Sequence, residues 1–162
     1  MVLKSNSQLC TLLISTWFSR IRYRIARGMA NKKRVFVSYQ YDSDRHYKNL
    51  LLAWNNNTHF DFHMRDQSAD LSVHSLDAAA IKRSISAKIN KGNYFIVLIG
   101  RTTRKCEWVK WEIEKAKQLK KKIIAIKLDR RNKAPDELYG AGAAWAYCFK
   151  LDAISHAIEK VA

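Results

Sequence analysis

Glycine is scarce in this 162-residue chain, and the placement of its five glycines excludes several kinds of nucleotide site. They form neither a G-x-G-x-x-G turn nor a G-x-x-x-x-G-K loop, so the phosphate-binding loops of Rossmann dinucleotide proteins and of P-loop enzymes are absent. The loop 38–43 also lacks the glycine that a flavin-phosphate turn needs. A phosphoacceptor receiver domain is excluded as well, because Gly100 and Arg101 stand where its aspartate would follow the third strand.

Cysteine and histidine are also few, and neither has the spacing of metal ligands. The three cysteines are odd in number, widely separated and outside any C-x-x-C pattern, which suggests neither a disulfide framework nor a zinc site. The five histidines never pair at metal-ligand spacing. We therefore expect no metal and no cofactor, and a cytoplasmic location because a reducing cytosol suits the thiols.

Acidic residues are outnumbered, with 14 Asp and Glu against 30 Lys and Arg, which gives a formal net charge of +16. The excess is concentrated between Arg101 and Lys133, where 13 basic residues accompany four acidic ones. Such a run is most often a solvated surface that keeps a protein soluble. The alternative is a surface that binds a polyanion, which predicts binding that falls steeply with salt.

The first 28 residues contain five basic residues and no acid, and apolar residues recur at every fourth position: Leu9, Leu13, Trp17, Ile21 and Ile25. This pattern predicts one amphipathic helix. Its apolar part is too short to span a bilayer, and its charges follow that part, which fits neither a transmembrane segment nor a secretory signal. The segment is either a basic helix that lies on a surface or a dispensable stretch ahead of a natural start at Met29. We assign 1–30 to this extension and 31–162 to one folded domain.

From Arg34 onward, short β-rich runs alternate with helical patterns, which is typical of βαβ units around a parallel sheet with helices on both faces. The predicted strands are 35–39, 59–64, 94–99, 123–128 and 147–149. The predicted helices are 44–54, with Ser43 or Asp44 as N-cap, and 77–91, 108–119 and 152–161. This rhythm predicts a doubly wound sheet, in which ligands bind beyond the carboxyl ends of the strands.

The helix that follows the third predicted strand carries the most distinctive chemistry at that edge. Glu112 lies beside the apolar stripe of Val109 and Ile113 and one turn from Trp108. A carboxylate there would be partly buried and held by rigid packing, next to a ring that could line a planar ligand. The alternative, which the pattern alone favours, is an ordinary glutamate stabilised by the helix dipole beside core tryptophans.

Three stretches of the chain resemble TIR domains. In the catalytic helix of that family, a tryptophan is followed four residues later by the glutamate required for NAD cleavage, and Trp108 and Glu112 match this spacing. Val35–Tyr39 resembles the (F/V)-(I/V)-S-(Y/F) first strand of TIR domains, and Val97–Gly100 followed by W-V-x-x-E-I is similar to the TIR-like proteins of bacterial Thoeris anti-phage systems. The resemblance covers about 33–128. It implies a flavodoxin-like, doubly wound, five-stranded parallel sheet in the order 2-1-3-4-5.

The resemblance also implies a substrate and a set of site residues. NAD would be cleaved between ribose and nicotinamide, with the Glu112 carboxylate stabilising the positive charge that develops at the anomeric carbon. Trp108 would pack on the nicotinamide or ribose side, and Ser38 and Tyr39 would border the pocket. Asp66 would accept a hydrogen bond and Arg101 would meet the pyrophosphate. Capture of the ribosyl centre by water or by an ADP-ribose oxygen would make the enzyme a hydrolase or a cyclase.

As a member of this family, the chain would be a NAD nucleosidase or ADP-ribosyl cyclase of anti-phage defence that self-assembles and signals to a separate effector through a nucleotide product. The chief rival is an interaction module of the same fold without turnover, in which Glu112 is structural. A nucleic-acid-binding domain is a third hypothesis, and we do not expect nucleic acid as a partner because no single-strand stacking motif supports it. We expect no membrane span.

Overall fold

The computed structural model describes residues 33–57, 62–63 and 77–161, which belong to one unit of the chain. The predicted extension 1–30 and the polar loop that contains Asp66 lie outside these residues and stay predictions. No helix in the described part is long and apolar enough to cross a bilayer.

The sheet is parallel throughout the pairs that the structure describes. Its strands are β1 (Lys33–Ser38), β2 (Phe62–His63), β3 (Tyr94–Ile99), β4 (Lys122–Lys127) and β5 (Ala144–Ala146). Strands β1, β3, β4 and β5 lie side by side in that order, and the two residues of β2 pair with the outer edge of β1. The predicted α/β class with a parallel sheet is confirmed. The full second strand, predicted over 59–64, is described at two residues only, so the complete five-stranded arrangement stays a prediction.

Helices cover both faces of this sheet and create two apolar cores. They are α1 (Tyr41–Asn56), α2 (Ala78–Lys91), α3 (Glu107–Gln118) and α4 (Leu151–Glu159). One core, the α1/α4 core, contains Leu51 and Ile154, and the other, the α2/α3 core, contains Ile85 and Ile113. Alternate residues of β3 enter the two cores, and all six are buried. Burial on both faces is the physical reason for the continuous apolar run of this strand.

Helix α1 begins earlier than the sequence predicted, and the predicted N-cap was wrong. The helix starts at Tyr41 with Gln40 as N-cap, and no side chain caps it. Asp44 lies inside the first turn and is buried, because its carboxylate bonds to a neighbouring loop instead of to its own helix end. In α2, by contrast, Asp77 caps the helix by accepting a hydrogen bond from the Ala79 amide at 3.0 Å.

The last strand lies three residues earlier than predicted, at Ala144–Ala146 instead of 147–149. Ala144 and Ala146 enter the α1/α4 core, while Trp145 packs against the α2/α3 core. Side chains of this tripeptide therefore pack on both faces of the sheet, next to β4. The aromatic and β-branched bias of strand prediction favoured the wrong triplet. Tyr147, placed in the predicted strand, is exposed instead.

Candidate active site

The carboxyl edge of the sheet, where the parallel strands end, brings Ser38 and Glu112 together. Ser38 is the last residue of β1, and Glu112 lies in the second turn of α3, 74 positions later. Ser38 Oγ donates a hydrogen bond to Glu112 Oε2. Both residues are buried, with 1% and 7% of their surface exposed. The sequence predicted both residues for this site, and the structure places them in direct contact.

The electrostatics of Glu112 are those of an acid removed from water. Burial raises the pKa of this carboxyl to about 7, and the hydrogen bond from Ser38 opposes that rise because it stabilises the ionised form. This raised pKa allows both the protonated and the ionised form of the side chain near neutral pH. Strongly shifted acids are common at sites that move protons or stabilise charge, although buried structural acids show the same shift.

Trp108 lies one turn before Glu112 on α3 and is half-buried. Its ring meets the ring of Trp111 edge-on, with 6.0 Å between their centroids. The Lys82 ammonium of α2 lies 5.8 Å from the Trp108 ring and 5.5 Å from the Trp111 ring. Trp108 therefore lies one turn from Glu112, and its ring contacts the protein groups Trp111 and Lys82.

Tyr39 is next to Ser38 in sequence yet packs against the opposite core, because successive side chains of an extended chain point to opposite faces. The Lys48 ammonium lies 5.8 Å from its ring. The structure thus does not bring Tyr39 to Glu112 on the α2/α3 side. Arg101 is exposed in the loop that follows β3.

A second buried carboxylate, Asp44, holds the loop after β3 and was missed as a site residue by the sequence analysis. It accepts hydrogen bonds from Ser43 Oγ at 2.9 Å and from Thr103 Oγ1 at 3.2 Å. Thr103 Oγ1 in turn accepts from the Gly100 amide at 2.8 Å. Burial raises the pKa of Asp44, while its hydrogen bonds lower it. The sequence features that could have indicated this contact are Asp44 near the start of the first predicted helix and Gly100 directly after the third predicted strand.

Gly100 is required by this arrangement. A Cβ at this position would lie 2.3 Å and 2.4 Å from the two carboxylate oxygens of Asp44, which is closer than real atoms approach. A further bond, from Thr102 Oγ1 to Gln40 Oε1 at 2.6 Å, joins the loops that follow β1 and β3. The two loops beside Ser38 are therefore fixed to each other.

The arrangement can stabilise a positive charge or exchange a proton at Glu112, with Ser38 holding one carboxylate oxygen. Among the residues with described positions, no three His, Cys, Asp or Glu side chains are grouped so that they could hold a metal ion.

Comparison with known proteins places the chain in a family. Residues 36–133 match the family model described as Thoeris protein ThsB, TIR-like domain. The fold is similar to that of the CMP N-glycosidase BcmB of Clostridium botulinum, with a TM-score of 0.55 and 14% identity over 79% of this chain and 98% of that chain. The TIR domains of the activated Roq1 resistosome, which recognises the effector XopQ, match with a TM-score of 0.43 and 13% identity over 67% of this chain and 68% of that one. No curated protein matches. Because the family model covers more than half of the sequence, the chain belongs to the TIR-like domain family of the Thoeris protein ThsB.

Proposed function

We propose that this chain is a NAD-cleaving signalling enzyme, a NAD nucleosidase or ADP-ribosyl cyclase that acts in anti-phage defence. The observation that carries the proposal is the buried Glu112 carboxyl, which bonds to Ser38 at the carboxyl edge of the sheet. Membership of the ThsB family supports it. The name of the structural neighbour, a CMP N-glycosidase, describes cleavage of an N-glycosidic bond in a nucleotide, which is the class of bond proposed here.

The proposed reaction breaks the bond between the anomeric carbon of ribose and the nicotinamide nitrogen. The bonding electrons leave with nicotinamide, which departs as a neutral molecule and needs no acid. The ribosyl carbon becomes positively charged, and the ionised Glu112 stabilises it. Ser38 Oγ bonds to Oε2, so in the proposed complex the other carboxylate oxygen would be the one that contacts the ribose. Water then attacks the ribosyl carbon and loses a proton, or a hydroxyl oxygen of the ADP-ribose moiety attacks it within the same molecule and loses its proton.

Three further residues, Trp108, Arg101 and Asp66, would contact the substrate. Trp108, one turn from Glu112, would meet the nicotinamide or ribose side, next to the Lys82 ammonium that lies 5.8 Å from its ring. Arg101 is exposed beside the carboxyl edge and would contact the pyrophosphate. Asp66 would add a hydrogen bond. A cytoplasmic location, self-assembly and a separate effector that senses the nucleotide product complete the proposal.

An interaction module without turnover is the second candidate. The contacts of Trp108 with Trp111 and Lys82 favour it, because a ring packed in this way stabilises the interface of α2 with α3 without any ligand. In that case the Ser38 to Glu112 hydrogen bond would be structural.

Incubation of the purified wild-type chain and of Glu112→Gln with NAD, followed by liquid chromatography and mass spectrometry, separates these candidates. The enzyme hypothesis predicts nicotinamide release by the wild type and its loss in Glu112→Gln, whose circular dichroism stays unchanged. The co-product, ADP-ribose or a cyclic isomer, identifies a hydrolase or a cyclase. Equal or absent release by both proteins, at high concentration and in lysate of phage-infected cells, would support the interaction module.

A further inference from the structure

Three aromatic rings form a row next to the edge strand β5, and the proposed chemistry does not use them. The Tyr139 and Trp145 rings are stacked, with centroids 6.3 Å apart and planes inclined by 27°. The Trp145 and Tyr147 rings are stacked as well, at 6.0 Å and 13°. The two outer rings are 63% and 55% exposed, whereas Trp145 is half-buried against the α2/α3 core. We call Tyr139, Trp145 and Tyr147 the aromatic row.

Such exposure of stacked aromatic rings is unusual, because large rings contribute most to protein stability when they are buried. Tyr139 and Tyr147 are the two most exposed large hydrophobic side chains among the described residues. Both tyrosine rings stack on Trp145, which packs against the α2/α3 core. The aromatic row is therefore formed before any ligand binds. Preorganised rings lose little conformational entropy on binding.

Basic groups lie beside the aromatic row at the carboxyl edge. The last paired residues of β4 and β5 are Ile126 and Ala146, so the next residues, Lys127 and Tyr147, follow on neighbouring strands about 4.8 Å apart. Lys127 also pairs with Ile99 of the α2/α3 core, and Tyr147 stacks on Trp145 of the same core. Both side chains therefore belong to one face of the sheet.

The turn that follows β4 adds further positive charge. Segment 127–133 carries four basic residues and one acid, and Arg130 and Lys133 are exposed. The single acid, Asp129, is compensated by an ion pair with Arg131 at 2.9 Å. Asp136, which precedes Tyr139, is likewise paired with Arg104 at 3.1 Å. With Glu137 also counted, segment 127–139 holds four basic and three acidic residues, a net charge of +1, and Arg104 raises the local balance to +2.

We infer that the aromatic row and the basic turn 127–133 form a binding surface for single-stranded nucleic acid. The sequence alone did not lead us to expect this partner, because the stacked rings appear only in the folded chain. Bases stack on the exposed faces of Tyr139 and Tyr147, while Lys127, Arg130 and Lys133 neutralise the phosphates that connect them. A strand is favoured over a lone nucleotide because the surface offers two separate exposed rings and several cations in succession. The aromatic row is independent of the proposed NAD chemistry, since β3 and β4 separate Ser38 of β1 from β5. The basic turn is closer to that site, because Asn132 Nδ2 donates a hydrogen bond at 2.8 Å to the carbonyl of Ile99 at the end of β3.

The test measures fluorescence polarisation of labelled single-stranded oligouridine and oligothymidine, ten nucleotides long, with the full-length chain. The double variant Tyr139→Ala/Tyr147→Ala should weaken binding at least about 10-fold, because each lost stacking contact reduces affinity several-fold. Tyr139→Phe/Tyr147→Phe keeps both rings and should bind within about twofold of the wild type. Tyr41→Ala is the matched control, since Tyr41 is 44% exposed but lies outside the aromatic row, and it should bind as the wild type does.

Competition with inorganic polyphosphate and with a duplex of equal length separates base stacking from charge alone. We expect both competitors to displace the single strand at least about 10-fold less well than unlabelled single strand, and we expect binding to weaken with salt. Wild-type binding by the alanine double variant, equal competition by polyphosphate, or no binding at all would overturn the inference. A change of oligomeric state caused by the alanine variant, without an effect on oligonucleotide binding, would also overturn it and would assign the row to contacts between copies.

Discussion

Glu112 makes the stability of the molecule depend on pH. Its pKa is about 7 in the folded chain, against an ordinary value of 4.5, because burial penalises the charged form. Between these two values the folded state binds more protons than the unfolded state. The contribution of Glu112 to the free energy of unfolding is complete below pH 4.5 and is lost as the pH rises from 4.5 through 7. The total loss is about 3 kcal/mol.

Glu112→Gln should remove this dependence, because glutamine resembles the protonated acid and cannot ionise. Urea unfolding at pH 5 and pH 8 should show a larger loss of stability in the wild type than in Glu112→Gln, by about 2 to 3 kcal/mol. Glu114→Gln is the control, since Glu114 is exposed two residues later on the same helix. Parallel pH dependence of all three proteins would contradict the assigned burial of Glu112.

Ser38 acts on Glu112 through the hydrogen bond that favours the carboxylate. In Ser38→Ala the pKa of Glu112 should rise further, by about one unit, which is the size expected for one lost hydrogen bond to a charged group. Carbon-13 NMR titration of the Glu112 carboxyl measures this shift directly, and kcat/KM for NAD should then reach its ionised plateau at higher pH. Ser84→Ala, on the exposed face of α2, serves as control. An unchanged titration would mean that Ser38 does not act through Glu112.

The helices and central strands show which elements local sequence can determine. Helix α3 and the position of Glu112 on it followed from the spacing of Val109 and Ile113, and β3 followed from its apolar run. Strand β5 was placed wrongly because its position depends on which residues fill space beside β4, which is a tertiary effect. Asp44 was interpreted as a cap because its true partner, Thr103, is 59 positions away. Residue spacing along the chain does not reveal a hydrogen-bond partner this far away, unless a family motif is known to bring the two segments together.

The junction of α1 with the loop after β3 depends on the absence of a side chain at Gly100. Gly100→Ala should destabilise the fold by about 1 to 3 kcal/mol, because its Cβ would overlap the Asp44 carboxylate. Shortening the acid in Asp44→Ala removes the clash, so the double variant should be more stable than the sum of the two single changes implies. Thermal and urea unfolding of the four proteins measures this coupling. Additive effects within about 0.5 kcal/mol would contradict the close contact.

The candidate site forms only when the chain folds, because its residues are far apart in the sequence. Ser38 and Glu112 are 74 positions apart, and Asp44 of α1 joins the loop that contains Gly100 and Thr103 in a second contact between distant segments. Parallel strands make this possible, because their carboxyl ends and the first turns of the following helices meet at one edge. The aromatic row lies on β5, with two strands between it and β1. One sheet thus offers two surfaces whose proposed functions can be tested separately.

The rate of nicotinamide release under saturating NAD shows whether the Glu112 carboxylate is required for cleavage of NAD. We compare the wild type, Glu112→Gln and the exposed-site control Glu114→Gln at pH 8, where the Glu112 carboxyl is mostly ionised. Glu112→Gln should lower kcat by about 100-fold or more, as expected when a group that stabilises the transition-state charge is lost, and Glu114→Gln should stay within about twofold of the wild type. Release at the wild-type rate by Glu112→Gln would contradict the proposed role of Glu112.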